Sequence, residues 1–435
     1  MKVVVHIGSP KTGSSALQYF LSDNRAQLEE YGFYYPEHSH DENLVSGGHQ
    51  RLATHLKNGD EKAAKALAKA WLKAAEKKKK TLLISGEGFY TLGAELPALF
   101  PGCDLSVIGY VRDPIEFLIS NHNQSVKRHF NSESLEDFLE RNLKGQNRGV
   151  NGDYFFVWRA AVGDEQVMFR PYLSSAFWEG RIELDFLKSL GLGEPEYAYF
   201  KLPERRINNA YSPEALELKR LLNLVMTESD AGLSHPIDLF LQKHSDARSQ
   251  SKADERRRLV PASQSLLDRL YVYFKPTNKR ILAELIQNPP AGFLDGSRVF
   301  ECGPAVDFVA VETLYRKLAE SLGEVVKTLE ARVNAKLTES GFSYGWYKLA
   351  EVMQIPFKEP DFSSGIDQAL LKVCSRGELG AADYLRELST MLLKRGYSAE
   401  ALNVISEAQR LRPGGKEIVK IKQKLEQCAV QAKGE

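Results

Sequence analysis

The chain has 435 residues, of which 43% are hydrophobic and 26% are charged. These proportions are those of an ordinary globular protein, and they exclude a disordered or fibrous chain. Its 58 Lys and Arg residues almost balance its 57 Asp and Glu residues, so the formal net charge is only +1. A general nucleic-acid binder would be strongly basic, so any anion must be bound at a local site.

Length, cysteine content and hydropathy add three expectations. At roughly 150 residues per domain, the chain is expected to contain two or three domains. The four cysteines form no CxxC pair, which argues against a disulfide scaffold or a zinc ribbon and fits a reducing compartment. The apolar run at the N-terminus is too short for a signal peptide, and no stretch approaches the ~20 apolar residues of a membrane helix. We therefore expect a soluble, cytoplasmic protein.

In chain order, the first 170 residues predict strands that alternate with helices. Val3–Ile7 is apolar and β-branched, as in a strand buried on both faces. A turn-rich loop follows, and apolar residues then recur at helical spacing over residues 16–31. Further strands are predicted at 81–85, 105–111 and 166–169, and further helices at 60–80 and 114–128. This alternation predicts an α/β domain with a central parallel sheet covered by helices.

The second half of the chain is predicted to be mostly helical. Pro and Gly residues interrupt the pattern at 289–296, so we expect the α/β domain to span 1–300 and an α-helical domain to span 301–435. Within that second domain, residues 381–415 resemble the second half of one tetratricopeptide repeat, with small residues where helices cross and Pro413 after the last helix. An ordinary helical hairpin explains the same pattern equally well.

The most informative segment is GSPKTGSS, from Gly8 to Ser15. Its G-x-x-x-x-G spacing between a strand and a helix is typical of a loop that directs backbone N–H groups at a phosphate. A nucleotide kinase or ATPase has Lys directly after the second Gly, whereas here Ser14 holds that position. The loop's own lysine, Lys11, comes before Gly13 instead. The loop is therefore poorly suited to triphosphate chemistry, and we expect Lys11 to neutralise a bridging oxygen beside a 5′-phosphate.

A second motif follows the strand predicted at 105–111. Arg112-Asp113-Pro114 comes directly after it, and Ser120 lies eight residues beyond the Arg. Arg makes fork-shaped, charge-assisted hydrogen bonds to phosphate. The carboxyl end of a parallel strand also faces the crevice where α/β proteins bind ligands. The same tripeptide is a common helix start as well, with Asp as the N-cap and Pro at the first helical position.

Together the two motifs resemble those of the PAPS-dependent sulfotransferases, particularly the bacterial carbohydrate-type group. The resemblance covers residues 1 to about 300 and implies a P-loop-like three-layer sandwich. It implies 3′-phosphoadenosine 5′-phosphosulfate (PAPS) as the sulfuryl donor, a carbohydrate or related metabolite as the acceptor, and no metal. The residues that the resemblance assigns to the 5′-phosphosulfate are Pro10, Lys11, Thr12, Gly13, Ser14 and Ser15. Those that it assigns to the 3′-phosphate are Arg112 and Ser120.

Two residues are candidates for the catalytic base, and the sequence leaves the choice open. Glu87 lies in SGEGF after the strand predicted at 81–85, so we expect it at the carboxyl edge of the sheet, where a desolvated Glu can act as a base. His49, in the loop sequence SGGHQR, is the rival. Related sulfotransferases often use a Glu or a His in this role. Lys11 is the third catalytic candidate, as the group that stabilises charge on the leaving phosphate.

Other polar clusters have simpler interpretations. His38 and His40 flank Ser39, but without a nearby Cys or an HExxH spacing they do not predict a metal site. The basic runs at 77–80 and 256–258 are typical of solvated surface, although such runs also steer anionic glycans or nucleotides.

The sequence thus predicts a PAPS-dependent sulfotransferase that acts by in-line displacement. Two alternatives stay open. One is a nucleotide-dependent kinase, which the missing loop lysine argues against. The other is a non-catalytic nucleotide-binding module whose C-terminal helices dock a protein or associate with a second copy. Neither nucleic acid nor a membrane span is expected among the partners.

Overall fold

The computed structural model describes residues 1–38, 48–145, 149–203, 210–248, 258–260, 262–295, 300–303, 306–338, 344–357, 380–394 and 397–431. The chain forms two compact units, Met1–Pro356 and Phe357–Glu435. The first is a mixed α/β structure that is mostly helical, and the second is helical where it is described.

A five-stranded parallel sheet forms the centre of the first unit. Its strands are β1 (Lys2–His6), β2 (Phe33–Tyr34), β3 (Thr81–Ser85), β4 (Asp104–Val111) and β5 (Val167–Pro171). Their order across the sheet is β2-β3-β1-β4-β5, so β3 and β4 are the two neighbours of β1. Every pairing is parallel, which confirms the predicted parallel sheet. Two short strands, β6 (Arg258–Val260) and β7 (Phe300–Cys302), form a separate parallel pair that the sequence did not predict.

Helices connect the strands and form the rest of the first unit. They are α1 (Ser14–Asp23), α2 (Arg25–Glu30), α3 (Gln50–Lys57), α4 (Glu61–Lys77), α5 (Pro114–Arg128), α6 (Leu135–Lys144), α7 (Asp153–Val162), α8 (Ile182–Ser189), α9 (Glu194–Tyr197), α10 (Pro213–Leu222), α11 (Ala231–Arg248), α12 (Gln264–Glu284), α13 (Phe308–Ser321), α14 (Gly323–Thr338) and α15 (Tyr344–Val352). Among the helices that the structure describes, none is both long and apolar enough to cross a bilayer.

The inner strands are mostly apolar because both faces of the sheet are covered by helices. Successive side chains of a strand point to opposite faces. In β1, Val3 and Val5 pack in one core with residues of α4, α7 and α12. Val4 packs in the other core, with residues of α1 and α8. The strand predicted at 81–85 coincides with β3, and the other predicted strands of the sheet agree with the structure to within two residues.

The first predicted helix is divided in two at Asn24. The buried Asn24 side chain donates to the carbonyl of Phe20 (2.9 Å) and accepts from the N–H of Lys201 (2.7 Å). These bonds compete with the helical ladder, as Asn side chains commonly do at helix ends. One continuous helix over 16–31 was therefore an incorrect prediction, and α1 and α2 take its place.

The boundary between the units lies about fifty residues beyond the predicted one, which falls inside the first unit. The physical reason is packing after residue 300. α13 packs against α10, and Arg332 of α14 donates to the Val225 carbonyl (3.0 Å) and pairs with Asp230 (2.8 Å). Pro and Gly residues at 289–296 thus mark a loop inside a unit and not its end.

The second unit contains α16 (Ala381–Lys394), α17 (Ser398–Leu411) and α18 (Lys416–Gln431). Ala401, Ile405 and Ala408 of α17 are fully buried in its core, and Pro413 follows the end of that helix. Small buried residues at a helix crossing fit either a single tetratricopeptide-like hairpin or an ordinary one. Gly396, within the segment that resembles the repeat, lies outside the described residues.

Candidate active site

The loop between β1 and α1 is bonded to the end of β4. Thr12 is buried and its hydroxyl donates to the Ser9 carbonyl (2.5 Å), while the Ser9 hydroxyl donates to the carbonyl of Tyr110. Lys11 and Gly13 have φ values of 62° and 72°, both in the left-handed region. Gly13 is the N-cap of α1, so the first N–H groups of that helix have no partner within it and are available to an anion.

Glu87 meets the same loop from β3. It follows the end of that strand and begins a short 3₁₀ turn, Glu87–Phe89. The Ser14 hydroxyl donates to its Oε2 (3.1 Å), and the carboxylate stays exposed. Gly8 allows this close approach, because a Cβ atom on it would lie only 3.1 Å from the Cα and N atoms of Glu87. The predicted carboxylate is therefore at the carboxyl edge of the sheet and beside the loop.

Arg112 approaches the loop from the other side, at the end of β4. Its Nη1 donates to the carbonyl of Lys11 (2.5 Å), and its Nη2 lies 3.3 Å from the Glu116 carboxylate. Its guanidinium also stands over the ring of Tyr172, 5.2 Å from the centroid. Among the described residues Nε has no hydrogen-bond partner, although it is buried. The next residue, Asp113, caps α5 by accepting from two backbone N–H groups, so the tripeptide starts a helix and presents the arginine as well.

The cationic groups of the site are partly desolvated. Burial lowers the pKa of Lys11 to about 8, an effect that the negative charge of Glu87 opposes and the positive charge of Arg112 reinforces. Burial also lowers the pKa of Arg112. Lys11 is thus a cation at neutral pH with both Glu87 and Arg112 near enough to influence its charge.

The remaining predicted phosphate ligands lie along the loop and α5. Ser15 is half-buried in the first turn of α1, and Ser120 is half-buried in the second turn of α5. Ser120 follows Glu116 by four residues, so it lies on the helix face that carries the partner of Arg112. Pro10 lines a cleft at the loop. Other residues lining that cleft are Ser9, Thr12, Arg112, Asn151 and Asn278.

Two residues of the site were not singled out from the sequence. Tyr172, after β5, stacks on Arg112, and its hydroxyl would lie 3.3 Å from a Cβ atom on Gly13. Lys127, on α5, donates to Gln242 Oε1 (2.7 Å) and stands 4.4 Å from the centre of the Tyr211 ring. Burial lowers the pKa of Lys127 to about 8, and the charge of Lys11 is among the further causes. Both residues lie in stretches that also resemble the bacterial sulfotransferases, residues 169–172 and 123–127, but neither was assigned a role in the site.

His49 is a structural residue, and the prediction of a catalytic base at this position is corrected. Its ring is buried, with Nδ1 accepting from the N–H of Ser85 (3.0 Å) and Nε2 within 3.1 Å of the Pro36 carbonyl. Burial lowers its pKa to about 3. A neutral imidazole with both nitrogens bonded to main chain has no nitrogen left for a substrate proton, so Glu87 is the candidate base that the geometry retains.

The metal interpretation of the His38 region gains no support. His38 Nε2 lies 3.1 Å from the Tyr35 hydroxyl, while His40, Asp41 and Glu42 lie outside the described residues. Across the described ranges, no group of three His, Cys, Asp or Glu residues is arranged to hold a metal ion.

Comparisons with known proteins leave the function open. No family model matches the chain. An uncharacterized protein of Archaeoglobus fulgidus is 25% identical over 182 residues, which is 41% of this chain and 48% of that protein, so the chain spans about half of its length. A solved sulfotransferase from Alicyclobacillus acidocaldarius has a TM-score of 0.30 and 12% identity, covering 65% of this chain and 95% of the other. A score that low does not establish a shared fold, so function is argued below from the residues of the site.

We predict that His49 destabilises the first unit in acid. Its pKa is about 3 when folded and 6.5 when unfolded, so between these values only the unfolded state binds the proton. The free energy of unfolding should therefore fall as pH drops below 6.5, by up to about 1.4 kcal/mol per pH unit for this group. In His49→Gln the free energy of unfolding should fall less steeply with pH, because unfolding then takes up roughly one proton fewer.

The measurement is urea unfolding between pH 7.5 and 5, followed by tryptophan fluorescence, since all four tryptophans lie in the first unit. His235→Gln, a change at an exposed position, is the control and should keep the wild-type slope. If the free energy of unfolding of His49→Gln falls with pH as steeply as that of wild type, His49 is not buried and neutral.

Proposed function

We propose that the chain is a sulfotransferase that moves the sulfuryl group of PAPS to a hydroxyl of a carbohydrate or related metabolite, on a P-loop-like three-layer α/β domain. One arrangement carries the proposal. A phosphate-type loop without the kinase lysine presents Lys11 at the carboxyl edge of the sheet, with Glu87 and Arg112 as its charged neighbours. Such a site has cations that can bind the phosphates of the sulfuryl donor and a carboxylate that can take the proton of the acceptor hydroxyl.

The donor carries negative charge at two ends, and the site offers a group for each. For the 5′-phosphate, the N–H groups of Thr12–Ser15 stand at the start of α1. For the 3′-phosphate, we assign the guanidinium of Arg112 and the Ser120 hydroxyl. The buried, unpartnered Nε of Arg112 supports this assignment, because a bound phosphate oxygen would satisfy it. Glu116 holds the same guanidinium at 3.3 Å, so the phosphate must displace that carboxylate or share the arginine with it.

The proposed reaction is an in-line displacement at sulfur. The acceptor oxygen forms a bond to sulfur while the bond from sulfur to the bridging oxygen breaks, and 3′-phosphoadenosine 5′-phosphate (PAP) leaves with that electron pair. The acceptor proton passes to the Glu87 carboxylate. Lys11 stabilises the charge that develops on the leaving oxygen. The bond from Ser14 to Glu87 holds the carboxylate beside the loop, so base and leaving-group cation lie within one site.

We predict that the protein binds PAP without magnesium. A charge-assisted hydrogen bond contributes about 1.5–3 kcal/mol, or roughly 10- to 100-fold in affinity. Arg112→Ala should therefore weaken binding by about 100-fold, because it also loses the bond to the Lys11 carbonyl. Lys11→Ala should weaken it by about tenfold. Isothermal titration calorimetry makes the comparison.

The matched controls are Arg316→Ala and Lys317→Ala, which remove exposed cations on α13 and should bind PAP like wild type. Magnesium ATP is the competing ligand, since a hydroxyl and a carboxylate beside a phosphate loop also suit a kinase. A protein that ignores PAP and binds magnesium ATP is a kinase and not a sulfotransferase.

Lys11 should give PAP binding an alkaline limit. Its pKa is lowered to about 8, so the cation is present below that pH and is lost as pH rises through it. Above pH 8 the affinity of wild type should fall by up to about tenfold per pH unit, since the ligand then has to recruit the missing proton. In Lys11→Arg, whose side chain stays charged, the affinity should be level to pH 9.5. If PAP affinity depends on pH in the same way in both proteins, Lys11 does not contact the anion.

Glu87→Gln separates catalysis from binding. The amide keeps an oxygen for the Ser14 hydroxyl but cannot take a proton, so we expect turnover to fall by about 100-fold while the affinity for PAP is retained. The readout is release of PAP from PAPS, with water and then a set of sugars as acceptors. Glu95→Gln, at an exposed position in the same connection to β4, is the control. Unchanged turnover in Glu87→Gln would exclude this base, and absence of turnover in wild type would favour a nucleotide-binding module.

A further inference from the structure

Helix α4 and the three residues after it concentrate positive charge. Residues 61–80 contain eight lysines and two glutamates, whereas the whole chain has a net charge of only +1. Lys62, Lys65, Lys69, Lys73 and Lys77 are all exposed. They follow one another at intervals of three or four residues, so they form one stripe, here called the lysine face, that is roughly 22 Å long.

The lysine face points away from the protein. Ala64, Ala68 and Ala75 of the same helix are fully buried against the sheet, and their helical positions are opposite to those of the lysines. Lys65 forms an ion pair with Glu61 (2.7 Å). The other four lysines of the face have no ion pair among the described residues. Like charges four residues apart destabilise a helix, so a bound counter-charge would stabilise α4.

The middle of α4 lies near the edge of the sheet that carries the candidate site. The ring of Trp71, in the middle of α4, lies 5.0 Å from the ring of His49. His49 in turn bonds Ser85, the last residue of β3. Because α4 leads back to the amino end of β3, its N-terminal half must extend beyond the carboxyl edge, on the side where Glu87 follows the strand. Lys62, Lys65 and Lys69 belong to that half.

We infer that the lysine face is a docking surface for a linear anionic polysaccharide. Charge complementarity and length select a polyanion with several charges in a row. The exposed residues of α4 include no arginine and no aromatic side chain, so the face lacks the stacking groups with which proteins hold single-stranded nucleic acids. It also lacks the exposed large apolar residues that anchor a helix in a membrane surface. Lysines act as point charges toward carboxylate or sulfate groups. A bound chain would pass beside the carboxyl edge of the sheet.

The test is direct binding to the full chain, measured by fluorescence anisotropy with labelled heparin and polygalacturonate fragments of matched length. The key variant replaces Lys62, Lys65, Lys69 and Lys73 with Gln. We expect its affinity for both polymers to fall by at least about tenfold and its salt dependence to become flatter, because fewer counterions are released. The control variant replaces Lys2, Lys144, Lys201 and Lys317, four exposed lysines elsewhere, with Gln and should bind within about twofold of wild type.

A third variant, with Arg at the same four positions of α4, keeps the charge and should retain binding. A circular-dichroism melt of each variant shows whether it is folded. Together with the Arg variant, it distinguishes binding lost with the charge from binding lost because α4 is disrupted. No binding by wild type, or equal binding by the Gln variant, would overturn the inference. Tighter binding of a single-stranded DNA of matched charge, lost in the same variant, would overturn the assignment to a polysaccharide. PAP binding is measured separately and does not depend on α4, so either proposal can fail without the other.

Discussion

The candidate site depends on the bond between the Arg112 guanidinium and the carbonyl of Lys11. Lys11 has a left-handed backbone, which costs an L-residue about 1–2 kcal/mol and persists only where neighbours fix it. Arg112 holds the loop from β4, and Gly8 packs against Glu87 after β3. Since β3 and β4 are the two neighbours of β1 in the sheet, the loop is held from both sides. The strand order therefore decides which charged groups meet.

This same arrangement brings two cations, Lys11 and Arg112, together at the loop. Lys11 and Arg112 are both partly desolvated, and the positive charge of Arg112 adds to the burial that lowers the pKa of Lys11. Glu87 and Glu116 oppose that charge from the edges, one through Ser14 and the loop, the other directly at the guanidinium. A ligand with phosphate at two positions would replace both carboxylates as partners of the cations.

The sequence predicted the parts of the site that depend on local pattern. Apolar, β-branched runs located the strands, and residues placed directly after them, such as Glu87 and Arg112, were correctly expected at the carboxyl edge. What failed depended on contacts between distant segments. His49 is buried because Ser85 and Pro36 bond its ring, and no local pattern distinguishes it from a loop histidine. The domain boundary was displaced for the same reason, since α13 packs on a helix about ninety residues earlier.

The two anion sites that we propose in the first unit differ in physical kind. At the loop, the two cations are half-buried and Arg112 is held by the Lys11 carbonyl, so dissolved salt screens them less than it screens exposed charges. On α4, several mobile lysine side chains face open water, where charges more than about 8 Å apart are screened at physiological ionic strength. A polymer gains affinity there only by meeting many lysines at once. On these proposals, the loop selects one ligand by position, and the lysine face holds a long one beside it.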